Sequence, residues 1–206
     1  MAQPNSRVSA PIDKPKVDLR ARKIQQRKNH ILMVAARLFR ERGFHAVSID
    51  QVGTAAGMSG PAMYKYFSDK GAILSALLDR GISIAIAAFE AIDNEGLSDL
   101  ELLKERVRVY IEFAGEVRDA LVVAVREANS IPEWYRDDFL REQRRIREID
   151  VDILMRIRPE LSKSEARYIC SNVFQGLISS SVYLYPADTP MRRKRLTKMA
   201  LAALFA

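Results

Sequence analysis

Between Ala166 and Ile178 the apolar residues fall at Ala166, Ile169, Cys170, Val173, Phe174, Leu177 and Ile178, an unbroken 3–4 stripe. On a helix this spacing gathers the side chains on one face; on a strand it would scatter them over both. The same spacing recurs along almost the whole chain after residue 20. It carries Ile31, Val34, Ala35 and Leu38, then Ile49, Val52 and Ala56, then Ile73, Leu74, Leu77, Ile84, Ala88 and Ala91. It closes the chain with Leu196, Met199, Ala200, Ala203 and Leu204. No segment alternates convincingly with period two, so the fold is all-α. With 48% of 206 residues apolar, there is ample material for a core.

Helix boundaries follow from stop and cap chemistry. A first helix over about residues 21–42 ends at Gly43-Phe44, a left-handed stop followed by a hydrophobic contact. Ser48 with Gln51 forms a capping box for a second helix, and Gly57 ends it after about two turns. Ser59 caps a third, expected to run to about Phe67. Two short helices joined by a glycine-containing turn form a helix-turn-helix, with Gly53 leaving room for the crossing. A long helix over about residues 69–94 follows. Ser98 with Glu101, Ser130 with Glu133, Ser162 with Glu165, and Thr189-Pro190 mark the later starts, and residues 118–129 form another helix. About nine helices are expected. Residues 1–20 carry three prolines and no apolar period and are predicted to be a flexible basic arm, followed by a head over residues 21–68 and a larger helical body over residues 69–206.

Charge is unevenly placed. The chain carries +7 overall; residues 1–80 hold 14 Lys and Arg against 6 Asp and Glu, whereas residues 81–206 hold 19 against 20. A basic end joined to a neutral remainder suggests that the end meets a polyanion. The third helix supports this. Pro61 lies in its first turn, where a missing N–H costs nothing, and Met63 and Phe67 can pack inward. Tyr64, Lys65 and Tyr66 are then left at the surface or rim, with Lys70 starting the next helix. Phenols and ammonium groups suit phosphate, while Gly60, Pro61 and Ala62 let the helix end approach base edges. Arg20, Arg22, Lys23, Arg27 and Lys28 are candidates for further backbone or minor-groove contacts.

The stretch "GFHAVSIDQVGTAAGMSGPAMYKYFSDKGAIL" resembles the DNA-binding domain of the TetR family of bacterial transcriptional regulators. The resemblance covers roughly residues 24–75. It implies a homodimer whose two helix-turn-helix units read a near-palindromic operator, and a C-terminal domain that binds a small molecule and releases DNA. Carried over residue by residue, Ser48, Tyr64, Tyr66 and Lys70 match positions that contact phosphate. Gly60, Pro61, Ala62 and Lys65 match positions that approach bases. One departure is Gly71, where such proteins often have Glu, leaving a capping box at Ser68 incomplete.

The resemblance also implies an effector pocket within about residues 98–180. Tyr110, Phe113, Val122, Val125, Trp134, Tyr135 and Phe174 are its candidate walls, with Arg126 as the candidate partner of an anionic headgroup. The stretch "RPELSKSEARYICSNVFQGLISS" resembles members that sense acyl-CoA, which makes a small hydrophobic or acyl-CoA-like molecule the expected effector and a drug-like or aromatic inducer its rival. The last two helices are expected to form a four-helix dimer interface through Ala166, Val173, Leu177, Ser180, Ser181, Leu196, Met199 and Ala203, set against packing within one chain.

The function expected is a ligand-responsive repressor, with a sequence-nonspecific DNA-coating protein as the alternative. An enzyme is disfavoured: no Gly-rich phosphate loop or Ser/His/Asp constellation stands out. His30 and His45 have no ligand-spaced neighbours, so no metal and no cofactor is assigned. Cys170 reads as a core thiol. Neither a signal segment nor a bilayer-spanning run is found, and the expected compartment is the cytoplasm.

Overall fold

In the computed structural model, residues 19–180 and 189–206 are described. They form nine α-helices and no strand: α1 (Leu19–Arg42), α2 (Ile49–Ala55), α3 (Gly60–Met63), α4 (Lys70–Glu90), α5 (Asp99–Glu116), α6 (Arg118–Arg126), α7 (Glu133–Ile157), α8 (Lys163–Ser179) and α9 (Pro190–Leu204). A single 3-10 turn, Ala128–Ser130, joins α6 to α7. The expected arm lies outside the described residues as far as residue 18, and Leu19 and Arg20 already belong to α1.

The boxes at Ser48, Ser98 and Ser162 form in both directions, each serine accepting the N–H three residues on while that residue's side chain accepts the serine's own N–H. Thr189 caps α9 by accepting the Arg192 N–H at 3.2 Å. Three local expectations are corrected. Helix α3 ends at Met63, and Tyr64–Tyr66 form a turn in which the Tyr66 N–H still reaches Met63 O at 2.8 Å. The cap of α4 is Asp69, whose carboxylate accepts the Ala72 N–H at 2.8 Å, so Ser68 is not needed. The Ser130–Glu133 box does not form, because the 3-10 turn draws the Ser130 hydroxyl back to Glu127 and Pro132 takes the extended position before α7.

Buried apolar residues fall into two clusters. One holds the inner faces of α1, α2 and α3 and continues into α4 (Ile73, Leu74, Leu77, Leu78), α6 (Val123), the linker residue Ile131 and the start of α7 (Tyr135, Phe139). The other is made by α5 (Leu103, Val107, Ile111), the end of α7 (Val151, Ile153, Leu154), α8 and α9. Between α5 and α7 a buried ion pair joins Arg106 to Asp150, with the Arg106 guanidinium 4.3 Å above the Phe89 ring. Burial pushes the Asp150 carboxyl up from its ordinary range, against the pull of Arg106. Helix α4 is long and apolar enough to cross a bilayer by length and composition, unlike any other described helix. Its inner face is spent on the first cluster, and its Asp79 accepts the Tyr135 hydroxyl at 2.5 Å.

Candidate nucleic-acid interface and effector cavity

Close crossing of two short helices builds the candidate nucleic-acid surface. A Cβ on Gly53 would sit 2.6 Å from Met63 Cγ, and Met63 is fully buried, so a larger residue would drive α2 and α3 apart. Gly57 turns the chain at φ +69, a left-handed value that favours glycine. With Met63 and Phe67 anchored in the core, Pro61, Tyr64 and Lys65 are left facing out, Tyr64 with 55% of its surface exposed. Ala62 is half-buried beside them. Gly60 has a packing role: a Cβ there would lie 2.5 Å from an Asp50 carboxylate oxygen. Tyr66 is half-buried against the core and borders a groove with Arg20, Lys23, Arg27 and His30 on α1. Arg20, Lys23 and Arg27 make a basic shelf next to this turn.

Two sequence-assigned phosphate donors are partly engaged. The Ser48 oxygen accepts the Gln51 N–H at 3.1 Å, leaving its O–H hydrogen to donate outward. The Lys70 ammonium donates to Phe44 O at 2.7 Å and His45 O at 3.3 Å and stands 4.4 Å over the Phe44 ring. It ties down the α1–α2 loop, and of its three donors one remains.

That loop is held from its other side by a clasp that the sequence reading missed. One Glu127 oxygen accepts the Phe44 N–H at 3.0 Å and the other accepts the Ser130 hydroxyl at 3.1 Å. The Ser130 oxygen lies 2.9 Å from His45 Nε2. On the same face Arg40 of α1 pairs with Asp119 of α6 at 2.8 Å. Phe44 and Glu127 are 83 residues apart in sequence, and His45 and Ser130 are 85 apart, so no local pattern could have linked them.

Behind α6 lies a cavity of about 530 Å³, within the range of roughly 300–1,000 Å³ that holds drug-sized ligands. Tyr110, Phe113, Val125 and Phe174 line it, joined by Phe89, Phe139, Ile131 and others. The remaining predicted walls stand elsewhere. Val122 is buried outside the lining, Trp134 is 70% exposed, and Tyr135 is consumed by the first core through its bond to Asp79. Arg126 is exposed and does not line the cavity. Helix α7 instead supplies Arg136, Gln143 and Arg147, which the sequence analysis does not single out because the charge run hides which side of the helix turns inward.

A profile described as "Bacterial regulatory proteins, tetR family" matches residues 31–77, the stretch that contains α2, α3 and the clasped loop. A TetR-family regulator from Bordetella parapertussis has the same fold, with TM-score 0.76 at 21% identity over 84% of this chain and 93% of that one. Residues 31–77 thus carry a tetR-family segment within a TetR-like fold. Over 88 residues the chain is 26% identical to the HTH-type transcriptional activator FasR of Mycolicibacterium smegmatis, covering 43% of this chain and 40% of FasR. Over 101 residues it is 30% identical to the HTH-type transcriptional regulator RutR of Escherichia coli, covering 49% of this chain and 47% of RutR. The matches span less than half the length of these relatives.

The predicted dimer residues divide. Ala166, Leu177 and Leu196 are buried in the second core, and Val173 packs against it, because the continuous 3–4 stripe is what α8 needs to bind its own α7 and α9. Ser180 is half-buried, Ser181 lies outside the described residues, and Met199 and Ala203 face out. The outward face of α8 is Tyr168, Ser171, Asn172, Gln175 and Gly176; that of α9 includes Met191, Arg195, Met199, Ala202 and Ala203. No group of three His, Cys, Asp or Glu among the described residues is placed to hold a metal ion.

Proposed function

We propose that this protein is a cytoplasmic, ligand-responsive transcriptional repressor rather than an enzyme or a DNA-coating protein. The observation that carries the reading is the exposed turn Pro61–Lys65, held by the fully buried Met63 beside the basic shelf of α1. Such a turn suits entry into a major groove: Lys65 with Gly60, Pro61 and Ala62 at base edges, and Tyr64, Tyr66, Ser48 and the last donor of Lys70 at phosphates. Residues 21–68 act as the reading head and residues 69–206 as the effector-binding and dimerising body. A second copy pairs through the outward faces of α8 and α9, where Tyr168 is 71% and Met199 65% exposed. Sedimentation at micromolar concentration tests this pairing, and a monomer there would remove it.

The effector acts through α6. Its Leu121, Ala124 and Val125 border the cavity while its Glu127 grips the α1–α2 loop, so a ligand that displaces α6 displaces the head. The ligand must bind the DNA-incompetent arrangement more tightly to release the operator. Selection from a random DNA library tests the DNA reading. A regulator enriches one near-palindrome and prefers it about a thousandfold or more over random DNA. Lys65→Ala should change the enriched sequence, while Tyr64→Phe weakens all sequences alike; selection without any preferred site would favour the coating alternative.

A further inference from the structure

The charge inventory around the cavity narrows its ligand. Its walls are apolar, with Phe89, Tyr110, Phe113, Phe139 and Phe174 the largest of them, and no Asp or Glu stands among the described lining residues. Two arginines do. Arg136 donates to Ile131 O at 3.0 Å, which leaves other guanidinium donors on that side chain. Half-buried Arg147, one turn beyond Gln143 on the same face of α7, makes no hydrogen bond or ion pair with any described residue. Nearby carboxylates are already committed: Asp150 to Arg106, Asp79 to Tyr135, and Glu148 to Arg167. Burial pushes the Tyr110 phenol well up, against a smaller downward pull from the nearby Arg147 guanidinium. A cation kept beside an apolar cavity without a carboxylate costs free energy that an incoming anion recovers.

We propose that the effector is a small amphipathic carboxylate, its apolar body among the phenylalanines and its carboxylate on Arg147, with Arg136 and Gln143 as further donors. This rests on the reading of the cavity as the effector site. It replaces Arg126, which does not reach the cavity, as the headgroup partner. A carboxylate is favoured over a coenzyme A thioester because the paired requirement is for one planar anion at one guanidinium inside about 530 Å³. The thioester would leave its nucleotide outside the lining described.

The test is a displacement titration on the full chain with the neutral fluorescent lipophile N-phenyl-1-naphthylamine as reporter. Competitors are decanoate, 3-phenylpropanoate and indole-3-acetate, the primary amide of each, and decanoyl-coenzyme A. At least one acid should displace the reporter at least tenfold more tightly than its own amide. In Arg147→Gln that ratio should fall to about one, and Arg147→Lys should restore part of it, which separates loss of charge from loss of fold. If the reporter does not bind at all, the cavity reading fails and takes this inference with it. If the reporter binds but acids compete no better than amides, if the ratio survives Arg147→Gln, or if only the thioester competes, the carboxylate inference falls and the cavity reading stands.

Discussion

Removing the Glu127 side chain measures how tightly the head is held to the body. Phe44 is 7% exposed, so its N–H depends on the Glu127 carboxylate at 3.0 Å, and the same carboxylate holds Ser130. A hydrogen bond to a charged acceptor contributes roughly 1.5–3 kcal/mol. Because Glu127 is only half-buried, the lower part of that range applies, about 2 kcal/mol for Glu127→Ala. For a chain of 206 residues this corresponds to roughly 4–8 °C in Tm. Glu127→Gln keeps a carbonyl oxygen in place, so it should cost only about 0.5–1 kcal/mol. Calorimetric melting at pH 7 and fixed protein concentration reads both, and a double-mutant cycle with Ser130→Ala should show coupling of about 0.5 kcal/mol or more. If Glu127→Ala melts within about 1 °C of the wild type, water replaces the carboxylate without loss and the clasp cannot be what joins α6 to the head.

Asp150→Asn leaves the Arg106 guanidinium buried beside a neutral partner and should cost about 3–5 kcal/mol in urea denaturation; a loss under about 1 kcal/mol would mean water reaches the pair. Cys170 is fully buried and its thiol is pushed up to about 12, so maleimide should label it only after denaturation, and prompt labelling of native protein would contradict its place in the second core. Acid should destabilise the fold: Arg156, Arg108 and Arg167 hold Asp99, Glu105 and Glu148 below their ordinary 3.8, 4.5 and 4.5. Groups depressed in this way contribute stability that is present above those values and lost as pH falls through the lower folded ones, so Tm should decline from about pH 4.5 downward. A Tm that holds steady from about pH 5 to about pH 3 would refute this reading.

Local grammar was readable in the residues and long-range partnership was not. Ser98 with Glu101 and Ser162 with Glu165 specify helix starts through bonds within four residues, and both form. Ser130 with Glu133 has the same spelling and fails, because a glutamate three residues upstream competes for the hydroxyl. The head was legible for the same reason: its stops, caps and crossing glycine are all local. The cavity was legible only on apolar helices. Tyr110 and Phe174 advertise an inward face, whereas Arg147 is one of many charges on α7 and its orientation depends on where α5 and α8 pack. The burial of Ala166, Leu177 and Leu196 within their own chain shows the reverse ambiguity, since an apolar stripe does not say whether its own chain or a second one covers it.

The first cluster runs across the proposed border between head and body near residue 68. Ile31, Val52 and Met63 share one packed interior with Leu74 of α4, Val123 of α6 and Phe139 of α7. An excised 21–68 fragment would therefore carry an open hydrophobic wound, and should be recovered as aggregate. Grafting this head onto another regulator's body faces the same obstacle. The portable unit is discontinuous: it must bring along the first turns of α4, the outer side of α6 and the opening of α7, three pieces that the chain supplies from separate places.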